Sequence, residues 1–312
     1  MNAVAHARSA TGGEPSTGRS GYAGRGGVIA AGAAAGVLLA VLWSYEFVDH
    51  VIGANVAGAL LGEDAAAMSI AGVASGLAFA FVSGLAGTFT ACNIAVAASL
   101  GPMGQASGAA PGPVRPLLRP LGLFTAGVVG VSALYGAIGV LVGPDLPQLS
   151  TDTAGGVPVR LLQSSVVFGA VGLAFTLLGL ASLGVVRDPF RDRPAARVAV
   201  LGALVGAFLI GRPYPLFVKL FRSAVESGNP LYGAGAFVLQ ALGNVLLAVV
   251  VFVVLALATG GRFPRWFASG SRRATAVGAA LLIALGVFLL VYWDLRVPSL
   301  FGFGWFPTMP YN

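Results

Sequence analysis

The chain has 312 residues, of which 57% are hydrophobic and only 9% charged, and its mean hydropathy is +0.87. Such a composition excludes an ordinary soluble domain. The net charge of +7 does not signal a nucleic-acid partner, because the basic residues sit in short segments beside apolar runs, the pattern of cytoplasmic loops in a protein whose partner is the lipid bilayer.

Residues 1–26, rich in Gly, Ser, Thr and Arg, read as a disordered basic tail with too little apolar mass to offset the entropy of ordering. Residues 27–48 form a first transmembrane helix, with Trp43 and Tyr45 at its far end where interfacial aromatics belong. Glu46, Asp49, His50, Glu63 and Asp64 then make a solvated acidic outer segment. Six further apolar runs follow, at 66–100, 117–143, 161–186, 196–220, 231–259 and 274–294. Charge-free stretches such as Asp64 to Arg115 and Glu226 to Arg262 each exceed the ~20 residues that cross a bilayer as a helix. Ten-residue segments of alternating polarity are missing, which makes a membrane β-barrel the weaker alternative. The expected fold is all-α, a polytopic transmembrane bundle of about seven helices.

Orientation follows from the basic residues. Arg8, Arg19, Arg25, Arg115, Arg119, Arg187, Arg191, Arg193, Arg197, Arg262, Arg265, Arg272 and Arg273 fall on one side, thirteen of the 18 Lys and Arg. That side is cytoplasmic, so the N-terminus is inside and residues 295–312 form an extracytoplasmic tail. The expected location is a bacterial-type cell membrane.

Two runs look interrupted. The stretch from Ala65 to Met103 is too long for one straight span and carries small and hydroxyl residues from Ser83 to Asn93. The run beginning near residue 196 meets Gly211-Arg212-Pro213-Tyr214-Pro215, where two prolines remove backbone donors and end a helix. The interruptions open two blocks of three helices, 66–186 and 196–294. An odd number of helices per block inverts the second relative to the first, and matched breaks in inverted halves point to a central transport site.

The segment Gly84-Leu85-Ala86-Gly87-Thr88-Phe89-Thr90-Ala91-Cys92 and the segment Gly206 to Pro215 resemble the Gly-rich broken helices of CcdA-type and DsbD-type transmembrane thiol-disulfide carriers, cytochrome c biogenesis proteins of the LysE-like transporter superfamily. Ala91 stands where that family commonly has proline, and Arg212 or Pro213 where its second cysteine belongs. The resemblance implies two inverted three-helix repeats, thiol chemistry at Cys92, and an extracytoplasmic thioredoxin-like or haem-attachment partner. Cys92 is the chain's one cysteine, so a complete internal dithiol relay is excluded, because release of a mixed disulfide needs a second sulfur. Three functions therefore stay open: a redox protein acting through Cys92, a LysE-like exporter of a small solute or ion, and a membrane scaffold subunit.

Cys92 is the candidate reactive residue. Thr88, Thr90, Asn93, Arg212, Pro213, Tyr214 and Pro215 are candidate substrate contacts, oxygens and a charge placed at helix breaks. Gln240 and Asn244, four apart and so on one helix face, either line a polar pathway or hydrogen-bond between helices. Lys219 and Arg222 extend the positive strip of Arg212, and Glu226 is spaced to pair with Arg222. No Walker loop, HExxH or nucleophile elbow occurs, and with two histidines and one cysteine neither a metal site nor a cofactor is expected.

Overall fold

The computed structural model describes residues 24–62, 69–87, 115–269, 271–307 and 309. It is almost wholly helical. In chain order the helices are α1 (Arg25–Leu42), α2 (Ala54–Leu61), α3 (Gly72–Ala86), α4 (Arg115–Val142), α5 (Val159–Ser182), α6 (Pro194–Gly211), α7 (Pro215–Ser227), α8 (Pro230–Ala258), α9 (Arg262–Ala268), α10 (Arg272–Val291) and the single turn α11 (Val297–Ser299). Among the described residues six helices are long and apolar enough to cross a membrane: Arg25–Leu42, Leu118–Asp145, Val159–Ser182, Pro194–Gly211, Pro230–Ala258 and Arg272–Ser299. Helix α3 is apolar but shorter, with 15 residues, and stops where the described residues stop.

The segment after α1, expected as a loop, is helical instead: Glu46–Gly53 winds as a π-helix and runs directly into α2. Ahead of α5, β1 (Thr153–Ala154) and β2 (Val157–Pro158) pair antiparallel. Gly155 and Gly156 join them with φ of +59° and +84°, the left-handed pair that a two-residue hairpin turn demands. The last long helix does not end where the hydropathy falls. It continues through a π-helical turn, Tyr292–Arg296, into α11, which buries Arg296.

Packing follows one continuous order. Helix α1 lies on α10, α10 on α5, α5 on α6, α6 on α4, α4 on α8 and α8 on α3. Four of these crossings are built from glycines facing one another's backbone. A Cβ added to Gly84 of α3 would fall under 3.0 Å from the Gln240 carbonyl of α8, and one added to Gly243 of α8 would do the same to the Phe81 carbonyl of α3. Gly127 and Gly202 oppose each other in this way between α4 and α6, as do Gly136 and Gly233 between α4 and α8, and Gly172 and Gly286 between α5 and α10. Without an aqueous driving force between spans, such close backbone approach supplies the dispersion contact that holds apolar helices together.

Helix α7 is different in kind. Its buried residues, Leu216, Phe217, Leu220, Phe221 and Ala224, recur at helical spacing, while Arg222 and Glu226 are exposed. The apolar stripe seats against α3, α4 and α8, where Phe217 and Phe221 meet Phe237 edge-on at 5.2 and 5.3 Å between centroids. Arg222 and Glu226 form no ion pair, contrary to their spacing; among the described residues Arg197 and Asp188 make the one salt bridge.

Candidate functional site

At the double-proline segment α6 ends at Gly211 and α7 starts at Pro215, with Arg212 and Tyr214 in extended conformation (ψ of 114° and 130°) between them. A helix end inside an apolar bundle exposes carbonyls that lack intrahelical partners. Two glutamines from earlier in the chain supply donors. The Gln163 side-chain amide on α5 donates to the Ile210 carbonyl at 2.8 Å, and that of Gln148, in the loop after α4, donates to the Arg212 carbonyl at 2.5 Å. Gln148 itself is only 2% exposed. The break is therefore a clasped structure.

Clasping the backbone leaves the Arg212 side chain to be accounted for. Arg212 is 7% exposed, yet among the described residues neither Nη1 nor Nη2 has an acceptor within hydrogen-bonding distance. Its guanidinium carbon lies 4.7 Å from the centre of the Tyr214 ring. On its other side is Gly87, the last described residue of the first interrupted run. A Cβ there would fall 2.6 Å from Nη1 and 2.8 Å from Nη2, so a larger residue would make the guanidinium shift from that place. The two interrupted runs thus meet at Arg212 and Gly87. Thr88, Thr90, Cys92 and Asn93 lie outside the described residues.

Arg212, Pro213, Tyr214 and Pro215 line a cavity of about 840 Å³. Three more cations face it: Arg160 from the start of α5, and Lys219 and Arg222 from α7. No acidic residue stands among the described residues lining it. Half-burial of the Lys219 side chain pushes its ammonium below the ordinary lysine value. The end of α1, the end of α10 and the turns beyond it contribute Trp43, Phe288, Tyr292, Trp293 and Phe301 to the lining. Trp293 stacks on Phe168 at 4.6 Å and its carbonyl accepts from the Ser165 hydroxyl at 2.8 Å. Arg296, just beyond, points away from the cavity and donates to the carbonyls of Ala40 and Trp43 at 2.6 Å each, which satisfies the end of α1.

Gln240 and Asn244 share a face of α8, as their spacing predicts, and are 0% and 5% exposed. Among the described residues both side-chain polar atoms of Gln240 and Oδ1 of Asn244 have no hydrogen-bond partner. Nor do they line the cavity at Arg212. Sequence reasoning missed Arg160 and the aromatic wall as parts of one site. The available signals were Gly155-Gly156, which turn the chain into α5, and the Tyr292-Trp293 pair before Asp294. Among the described residues no group of His, Cys, Asp and Glu could hold a metal ion. Set beside known protein families, curated proteins and solved structures, the chain matches none.

Proposed function

We propose that this protein is a multi-pass membrane protein that binds an anionic solute at Arg212 and carries it across the bilayer, in the manner of a LysE-like exporter. The observation that carries the reading is the Arg212 side chain, nearly buried, with no acceptor for Nη1 or Nη2 among the described residues, beside a cavity with three other cations. An uncompensated charge in an apolar bundle is costly, and a site that tolerates it is built for a partner of opposite sign.

Helix packing supports the two inverted three-helix repeats of this reading. If α3, α4 and α5 correspond to α6, α8 and α10, the α3–α8 crossing has its counterpart in α6–α4, and the α4–α8 and α5–α10 crossings each map onto themselves. The cavity gathers the C-terminal ends of α1, α6 and α10 and the N-terminal end of α5. Exposed Arg187, Arg191 and Arg193 lie between the other ends of α5 and α6. With those basic loops inside, the cavity faces the extracytoplasmic side.

Proteoliposome counterflow with labelled inorganic phosphate, small carboxylates and acyl carboxylates tests the reading. Accumulation of at least one of these anions, abolished in Arg212→Gln, is expected. Exchange of none, or full exchange in the variant, overturns it. A second reading, CcdA/DsbD-like thiol redox with a thioredoxin-like partner, draws support from Gly87, which brings the run containing Cys92 to Arg212; a nearby cation favours the thiolate. A trapped mixed disulfide on Cys92 and loss of function in Cys92→Ala would favour that alternative.

A further inference from the structure

Resting on the anion reading, we propose that the ligand at Arg212 is amphipathic: a carboxylate or phosphate ester head on an apolar acyl or aryl body. A small inorganic anion needs only the cations. The cavity offers more than that. Its volume of about 840 Å³ is near the upper end of the range of about 300–1,000 Å³ that sites for drug-sized organic ligands occupy. Its chemistry is divided by element. Arg160, Arg212, Lys219 and Arg222 all come from the start of α5, the break and α7, whereas the wall from α1, α10 and the turn beyond is aromatic and carries no charge.

Arg212 sits where the two characters meet. Among the described residues its Nη1 and Nη2 have no acceptor, and Phe168 and Trp293, stacked on each other at 4.6 Å, line the same cavity. A head group bound through two N–H donors of an arginine fork is held directionally, which would lay an attached chain along that wall and free the water from it. An anion without an apolar body would leave the aromatic wall wet.

The test is calorimetric titration of the full chain in phosphatidylcholine nanodiscs, with empty nanodiscs subtracted. Decanoate should bind at least tenfold more tightly than acetate, inorganic phosphate or decanol. Arg212→Gln should weaken decanoate at least tenfold, and so should Trp293→Ala or, if that variant does not fold, Phe301→Ala. If acetate or phosphate binds as tightly as decanoate in an Arg212-dependent way, the amphipathic ligand is refuted and the anion reading stands. If no anion responds to Arg212→Gln, the anion reading itself fails. Doping the nanodiscs with phosphatidylglycerol separates two sources of the same chemistry: competition with decanoate assigns the site to an anionic membrane lipid, and its absence to a free amphiphile.

Discussion

Arg197 and Arg212 are 7% exposed each, and they stand at opposite ends of α6, yet the molecule treats them in opposite ways. Arg197 Nη1 meets Asp188 Oδ2 at 3.0 Å, and Nη2 donates to the Leu178 carbonyl at 3.0 Å and to the Ser182 hydroxyl at 2.5 Å. Asp188 is in turn held by the Phe190 amide at 2.8 Å. At the far end Arg212 has aromatic and glycine neighbours but, among the described residues, no acceptor for Nη1 or Nη2. Burial of a charge therefore says nothing about purpose until its partners are counted: the first arginine ties α5 to α6, and the second is left open at a cavity.

The comparison breaks most readily in stability. Arg197→Met should lower the unfolding free energy by about 3 kcal/mol, since it strands a carboxylate, a carbonyl and a hydroxyl together. Arg212→Met, removing a buried charge that has a ring contact but no acceptor for Nη1 or Nη2 among the described residues, should leave stability unchanged or raise it by up to about 2 kcal/mol. Denaturant unfolding in micelles reads both, and equal losses would erase the distinction. A smaller effect is expected at the clasp. Gln148→Ala should cost about 1–2 kcal/mol by depriving the buried Arg212 carbonyl of its donor, and should weaken anion binding because the segment carrying the guanidinium loosens.

Smaller again are the flanking charges. Arg222 is exposed, so Arg222→Gln should reduce anion affinity by about two- to fivefold, and by less in high salt. The Arg212 contribution should resist salt because the side chain is nearly buried. The smallest effect concerns pH. Desolvation disfavours the charged form of Lys219, so its attraction for an anion is present at low pH and fades as pH rises through a value below that of an ordinary lysine. Affinity should fall by about twofold over that window, and Lys219→Gln should flatten the profile.

What was readable from the sequence was what the backbone dictates locally. Charge-free runs marked the six described helices that are long and apolar enough to cross a membrane, and Pro213 and Pro215 marked the interruption at which α6 stops. Partners distant in sequence were not readable. Gln148 serves a carbonyl 64 residues away, and a glutamine in a loop gives no local hint of that. Arg197 looked like one more loop cation, because its site depends on α5 and α6 packing side by side. Arg296 was placed in a tail, whereas the helix runs on through a π-helical turn and folds it against α1. The Arg222–Glu226 spacing misled for a simple reason: a surface pair is worth too little to fix two long side chains.

The glutamine clasp also bears on how the chain is made. Gln148 and Gln163 are synthesised before Ile210 and Arg212, the residues whose carbonyls they serve. The donors are thus already synthesised when the interrupted helix emerges from the ribosome. The nascent α6 can dock its open end onto a waiting cradle, and its stalled carbonyls need never face lipid during biogenesis.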